Sequence, residues 1–339
     1  MGESRCRNWG KPLQEVKESL KEGLKLEKNM KVIITDQDLL LFKYLFESKF
    51  LSRNHIRKFI YEGFNPGYVD RRLWKLNKSG FVRKVPIATR ETIIMPTEKS
   101  LNMLDIFRDR VIKLTRKNGY PLKFFPANTY EWYLNTSLYD KDAPINFKEY
   151  AHDSMVSEIR FILEDKGALY WVSGNVIRNK KIGVNTPDGS FKIKYYRTFK
   201  ASKKEDIPKD ALNVRGPVLD DDGAPCYEFE HYRFVNVAVE YERSMKKRSR
   251  YVGGKNDPGI MRRYAQDRNF DFIIYVAGDS YVYNGLAKIL QPNILKVADI
   301  PHALDKFYFI HERDLLLGNF DKLINPHTDK VCPIVRFLK

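Results

Sequence analysis

The sequence predicts a multidomain α+β protein, with a winged helix-turn-helix near the N-terminus and a larger α/β domain on a mixed central sheet behind it. Three observations predict this. Between Thr35 and Met95, three short stretches with helical spacing of apolar residues precede a hairpin pattern. After His152 the order of elements reads α-β-β-β-α-β. Within that second region, the run Val237-Ala-Val-Glu-Tyr-Glu-Arg-Ser-Met245 passes from apolar residues straight into two carboxylates.

The first helix is capped by Thr35 or Asp36 and carries Leu39, Leu40, Phe42, Leu45 and Phe46. Ser52 caps a second, Arg53 to Tyr61, with Ile56, Phe59 and Ile60 inward. Gly63-Phe-Asn-Pro-Gly67 is turn chemistry. A third helix, Tyr68 to Ser79, buries Val69, Leu73 and Leu76, shows Arg71, Arg72, Lys75 and Lys78 on its other face, and stops at Gly80. Phe81–Val85 and Thr92–Met95 read as a hairpin wing, and Glu98 to Lys113 as one further helix. This plan predicts duplex DNA as partner, met by Arg53, Asn54, Tyr68, Arg71, Arg72, Lys75 and Lys78 on the helices and by Arg83, Lys84 and Arg90 on the wing.

Composition agrees. Sixty Lys and Arg against 43 Asp and Glu give +17 and a pI near 9.5, the footprint of a polyanionic partner. An RNA-binding protein fits that charge equally well. The 339 residues suffice for two or three domains, and 43% hydrophobic residues with 20 Tyr and 21 Phe supply packed cores. No apolar run approaches the roughly 18 residues that span a bilayer, and the charged first 31 residues lack a signal-peptide core. Cys6, Cys226 and Cys332 are too widely spaced for a disulfide framework or a zinc site, so a cytoplasmic location is expected.

The expected organisation is a charged arm over 1–30 with a short helix at Glu15 to Leu26, the winged helix over 31–115, an aromatic linker over 116–150, and the α/β domain over 151–339. That domain opens with a helix, Asp153 to Lys166, bearing Glu158 beside its apolar stripe. Strands follow at Leu169–Val172 and Phe191–Phe199, and another entered through Ile207–Val214 carries Asp210. Leu219 to Gly223 is a hairpin turn. Tyr227 to Tyr241 is long β-structure, expected to break near His231 to Arg233. Lys246 to Gln266 is basic and partly helical, and Asp271–Val276 and Phe307–His311 are buried strands.

Residues two apart on a strand share a face, so Glu240 and Glu242 converge, with Lys246 and Lys247 close behind. Paired carboxylates on an apolar strand need a cation, either a metal ion or a basic surface. Asp188, in the turn Thr186-Pro-Asp-Gly189, competes with Asp210 as a further acid, and the apolar strand beside Asp210 favours the latter.

A helix bearing Glu158, a strand bearing Asp210 and the strand Glu240-Tyr-Glu242, followed by a basic helix and a buried strand, resemble the PD-(D/E)XK nuclease core. With the winged helix ahead of it, the chain resembles the bacterial replication-relaxation family of plasmid and mobile-element proteins. His152-Asp153, Pro208-Lys-Asp-Ala211 and Val239 to Glu242 carry that likeness over roughly Thr35 to Leu290. The resemblance implies a metal-dependent endonuclease or nickase, with Asp210, Glu240 and Glu242 holding Mg²⁺ and Glu158, Asp210, Glu240, Glu242 and Lys246 forming the catalytic set. A lysine normally stands where Glu242 is. The alternative is a catalytically inactive DNA-binding accessory or regulatory protein, acting as a homodimer or with a partner protein of a mobile-element system.

Overall fold

The computed structural model describes residues 32–87, 91–117, 147–174, 185–209, 211–254, 257–300 and 302–338. The arm helix, Arg90, the aromatic segment 121–146, the basic loop 178–181 and Asp210 lie outside the described residues. The chain divides into two compact units, Met1–Ser157 and Glu158–Lys339, so the division falls within a helix rather than at residue 150. Among the described residues no helix is long and apolar enough to cross a membrane.

In the first unit, helix α1 (Asp36–Glu47) starts at a capping box: Thr35 Oγ1 accepts from the Asp38 amide and Asp38 accepts from the Thr35 amide. Strand β1 (Leu51–Ser52) leads into α2 (Arg53–His55), whose N-terminus Ser52 caps at 3.1 Å and which continues as a π-helical turn, Ile56–Ile60. Helix α3 (Pro66–Lys78) has Asn65 as its cap and Pro66 in its first turn, and it ends at Gly80, whose φ of +74° few residues but glycine adopt. Strands β2 (Val82–Pro86) and β3 (Thr92–Pro96) form the hairpin, and the antiparallel sheet runs β1-β3-β2. The expected single helix after it is two, α4 (Glu98–Ile106) and α5 (Arg108–Lys117), because Phe107 leaves helical geometry. Leu39, Phe42, Leu45, Ile56, Val69, Leu73, Leu76, Phe81, Ile93 and Ile94 are buried at the helical and strand spacings that the sequence shows.

In the second unit, α6 (Phe147–Asp165) precedes β4 (Leu169–Ser173), β5 (Gly189–Ala201), β6 (Leu212–Leu219) and β7 (Pro225–Glu242). Helices α7 (Arg248–Val252) and α8 (Ile260–Gln266) lead to β8 (Phe272–Ala277). Helices α9 (Ser280–Ile289) and α10 (Pro292–Leu295) lead to β9 (Phe307–His311), and α11 (Glu312–Leu316) follows it. The sheet order is β4-β5-β7-β8-β9, with β6 on the outer part of β7. The first three are antiparallel and the last two pairings parallel, each parallel step bridged by helices as parallel strands require.

Strand β7 is the spine of this sheet. The break expected at His231 to Arg233 is absent: β5 and β7 pair without interruption from Gly189↔Val239 to Ala201↔Tyr227. The cross-strand partners there, Arg197 opposite His231 and Tyr195 opposite Arg233, keep alternation intact, and polar content alone does not interrupt a ladder. The inner residues Val237–Glu242 pair with β8 and the outer ones with β6. Ala238, Ile273, Tyr275, Phe307 and Phe309 form one core with Tyr251, Met261, Tyr264, Val282 and Leu286, so α7, α8 and α9 cover the face of β7 that carries the even-numbered residues. Gly189 opens β5 because a Cβ there would lie 2.0 Å from the Trp171 ring.

Candidate acid cluster and basic helix face

Glu240 and Glu242 fall on that even-numbered face of β7, both only 3% exposed. The residue on β5 that continues the same face and register is Asp188, immediately before Gly189↔Val239. Its Oδ2 accepts the Tyr241 amide at 2.8 Å, which ties the head of β5 to the acid end of β7. Tyr264 on α8 donates its hydroxyl to Glu240 Oε1 at 2.5 Å. Glu242 has Arg250 of α7 at 3.7 Å and a hydrogen bond with Tyr251, whose hydroxyl also accepts the Lys246 amide at 3.2 Å. Tyr275, opposite Glu240 on β8, is fully buried and its hydroxyl has no hydrogen-bond partner among the described residues.

The electrostatics are those of surplus negative charge out of water. Burial, then the neighbouring charges of Asp188 and Glu242, hold the Glu240 carboxyl well above its ordinary range, against the opposing hydrogen bond from Tyr264. Burial also raises Glu242, which the cations Arg250 and Lys246 partly offset. Burial and the charges of Glu240 and Glu242 raise the Tyr275 phenol as well. Arg250 lies beside Glu242 rather than Glu240, and Arg263 is engaged by Asp257 and Asn185.

The structure brings a further acid to Glu240 and Glu242. The third acid of the cluster is Asp188. Strand β6 starts only at Leu212, which pairs with Glu230, ten positions along β7 from Glu240. At about 3.3 Å per residue that is roughly 33 Å of strand from Glu240 to the start of β6, and Asp210 itself lies outside the described residues. Glu158 is half-buried on α6 and is not among the charges that Glu240 and Glu242 feel most strongly. Lys246 is exposed and donates to Ser244 Oγ, acting on Glu242 only through its charge. Tyr251, Tyr264 and Tyr275 carry no sequence signal as site residues, whereas Arg250, one of the arginines from which the sequence offers a partner for Glu240, pairs with Glu242 instead. Among the described residues no group of three or more His, Cys, Asp or Glu side chains is gathered closely enough to hold a metal ion. Each carboxylate is instead turned to its own protein donor: Asp188 to an amide, Glu240 to a phenol, Glu242 to Arg250. The donor set still suits a hard divalent cation, since it offers carboxylate oxygens whose charge at Glu240 the Arg250 guanidinium offsets only in part.

In the first unit, Arg71, Trp74, Lys75 and Lys78 form one exposed stripe of α3, spaced three and four apart. Trp74 is 55% exposed between the cations, a residue that sequence periodicity did not single out. Arg72 does not belong to this face. Its Nε donates to Asp38 Oδ1 at 3.0 Å and its Nη2 to Asp38 Oδ2 and to the Ile33 carbonyl, while Tyr61 donates to the same carboxylate at 2.6 Å. Arg72 was expected outside because helical spacing places it beside Arg71; the buried acid one helix away draws it in. Tyr68 and Asn54 are exposed, and Arg53 lies 3.4 Å from Asp70. On the hairpin, Arg83 contacts Met95 Sδ and Lys84 is half-buried, its ammonium pKa lowered by that burial.

No protein-family model, curated protein or solved structure matches this chain. Its function therefore rests on the residues and geometry themselves.

Proposed function

We propose that the chain is a DNA-binding protein of a plasmid or mobile-element type system, in which a winged-helix first unit brings duplex DNA to a PD-(D/E)XK nuclease-like second unit that acts as a metal-dependent endonuclease or nickase. One observation carries this reading: Pro187-Asp188 at the head of β5 lies beside Glu240-Tyr-Glu242 on one face of a sheet whose next strand is reached through the basic segment Lys246–Arg263. This is the order and spacing of acids that the nuclease core uses, with Asp188 rather than Asp210 as the aspartate. Mg²⁺ held by Asp188 and Glu240 would supply Lewis-acid activation of a phosphate and a more acidic water.

The chain's own residues supply the rest. Glu242 replaces the usual lysine, and its raised pKa makes it a stronger proton acceptor than an exposed carboxylate. Arg250 and Lys246 offer positive charge to a phosphate at the cluster's edge. Arg71, Lys75 and Lys78 on α3 hold the duplex through its phosphates. Supercoiled plasmid incubated with the protein and Mg²⁺ or Mn²⁺ tests the proposal: the parent nicks it and Glu240→Gln does not. Cleavage unchanged in that variant, or none on duplex and single-stranded substrates alike, overturns the nuclease reading. The second reading, a catalytically inactive DNA-binding accessory protein working as a homodimer or with a partner protein, is favoured by the glutamate in place of lysine and by the separate engagement of the three carboxylates. It is supported by steeply salt-dependent duplex binding that needs no metal; tighter binding to structured RNA than to duplex DNA would favour an RNA partner instead.

A further inference from the structure

Beyond Lys192 the outer edge of β5 has no strand beside it among the described residues, because β4 pairs only as far as Leu169↔Lys192. The 3₁₀ turn Pro333–Phe337 packs there instead, and Phe337 touches both Tyr195, at 5.1 Å between ring centroids, and Tyr196, at 5.9 Å. An open groove of about 580 Å³ results, lined by Lys194, Tyr196, Leu212, Glu230, Arg336 and Phe337. That volume is in the range of small-ligand sites, roughly 300–1,000 Å³.

Its walls carry the rings of Tyr196 and Phe337 and the cations Lys194 and Arg336, and Tyr232 and Phe234 continue the same sheet face beside it. Tyr196 and Tyr232 are cross-strand partners with centroids 5.7 Å apart, and Phe234, 37% exposed, continues the row at 5.4 Å from Tyr232. Lys194 Nζ lies 4.4 Å over the Tyr232 ring, and the Arg336 guanidinium lies 4.7 Å over Phe337. Neither Lys194 nor Arg336 forms an ion pair among the described residues. The one carboxylate of the groove, Glu230, accepts Asn213 Nδ2 at 2.8 Å at the β6 end. Tyr196, Lys194, Phe234 and Tyr232 share the face of β5 and β7 that ends in Asp188, Glu240 and Glu242.

The geometry points to a binding site for single-stranded nucleic acid in this groove, with an unpaired base stacked on Tyr196 and phosphates on Lys194 and Arg336. Flat rings accept any base face, while the flanking cations track a backbone. The inference takes nucleic acid as partner from the preceding section but does not need cleavage. A duplex has its base faces already stacked and gains nothing from the Tyr196 ring.

The test is fluorescence anisotropy on the full chain with labelled oligothymidylate of about 12 nucleotides and with an abasic strand of equal length. The parent binds the thymidylate roughly 10-fold tighter than the abasic strand, as one stacked base implies. Tyr196→Leu removes most of that preference and leaves abasic affinity unchanged. Arg336→Gln, at an exposed position where folding is not at issue, weakens both strands and leaves duplex affinity unchanged. Equal affinity of the parent for the two strands, or a preference that survives in Tyr196→Leu, overturns the site. Loss of duplex binding in Arg71→Ala with Lys75→Ala reports on the α3 reading alone, and plasmid nicking on the acid cluster alone, so the three failures are separable.

Discussion

Replacing Arg72 by alanine separates a structural role from DNA contact. The Asp38 carboxylate is fully buried and the Arg72 side chain is 12% exposed. Asp38 accepts from the Thr35 amide and hydroxyl, each at 2.7 Å, from Tyr61 at 2.6 Å and from two nitrogens of Arg72. Arg72 is the only cation among these donors, and the bond to Asp38 raises its pKa further. Arg72→Ala therefore leaves a buried carboxylate with neutral donors only. Removing one partner of a buried pair costs about 3–5 kcal/mol. In a unit of 157 residues each kcal/mol shifts Tm by roughly 2–4 °C, so the lower bound alone corresponds to a loss of about 6–12 °C. Differential scanning calorimetry on the full chain reads this as a shift of the transition that belongs to the first unit. Below that transition, Arg72→Ala retains parental DNA affinity, whereas Arg71→Ala does not. A melting temperature within about 2 °C of the parent, or a loss of affinity equal to that of Arg71→Ala in folded protein, would refute the reasoning.

Further expectations follow from the acid cluster, the sheet and the helix face. The folded-state pKa of Glu240 lies above its ordinary 4.5, so the associated stability is full below about that pH and is lost as pH rises through the raised value. Melting temperature without divalent ions falls with rising pH in the parent; Glu240→Gln flattens the fall, and Mg²⁺ flattens it in the parent but not in the variant. A parent profile that rises over this range would remove the surplus-charge account. Gly189→Ala forces a Cβ against Trp171 and costs about 1–3 kcal/mol of stability, read by guanidinium unfolding; an unchanged midpoint would mean that the ring moves freely. Replacing Lys75 and Lys78 together by alanine lowers the slope of log affinity against log salt by up to about 1.8, as two lost phosphate contacts require; an unchanged slope would place the phosphates elsewhere.

Local patterns were legible where one rule decided them. Thr35, Ser52 and Gly80 mark helix ends by side-chain chemistry or backbone freedom, and Leu39, Phe42, Val69, Leu73 and Leu76 mark buried faces by spacing, whereas the third helix starts at Pro66, inside the segment that reads as a turn, with Asn65 as its cap. Glu240 and Glu242 were legible as a pair because two-residue alternation is fixed once the strand is recognised. Their third partner was not. Asp188 and Asp210 both sit near apolar strand sequence, and only the register of β5 on β7, a pairing across about fifty residues, places one of them opposite Glu240. Arg72 failed for the same reason in reverse: helical spacing put it outside, and an acid 34 positions earlier turned it inward. The tyrosines around the acids carried no sequence signal, since buried aromatic side chains are ordinary core residues until a carboxylate lies beside them.

The unbroken length of β7 makes the sheet a gauge. Tyr232 and Glu240 lie on the same face, eight positions apart on one strand. At about 3.3 Å per residue they are roughly 26 Å apart. Under the inference above, a strand that rests one base on Tyr196, the cross-strand partner of Tyr232, and one phosphate at the glutamate has that interval set by backbone geometry and not by loops. A matched two-residue extension of both β5 and β7 between them keeps every side chain on its face and lengthens the interval by about 7 Å without altering a residue at either place; on the nuclease reading proposed above, the position cut on a bound strand would move with it.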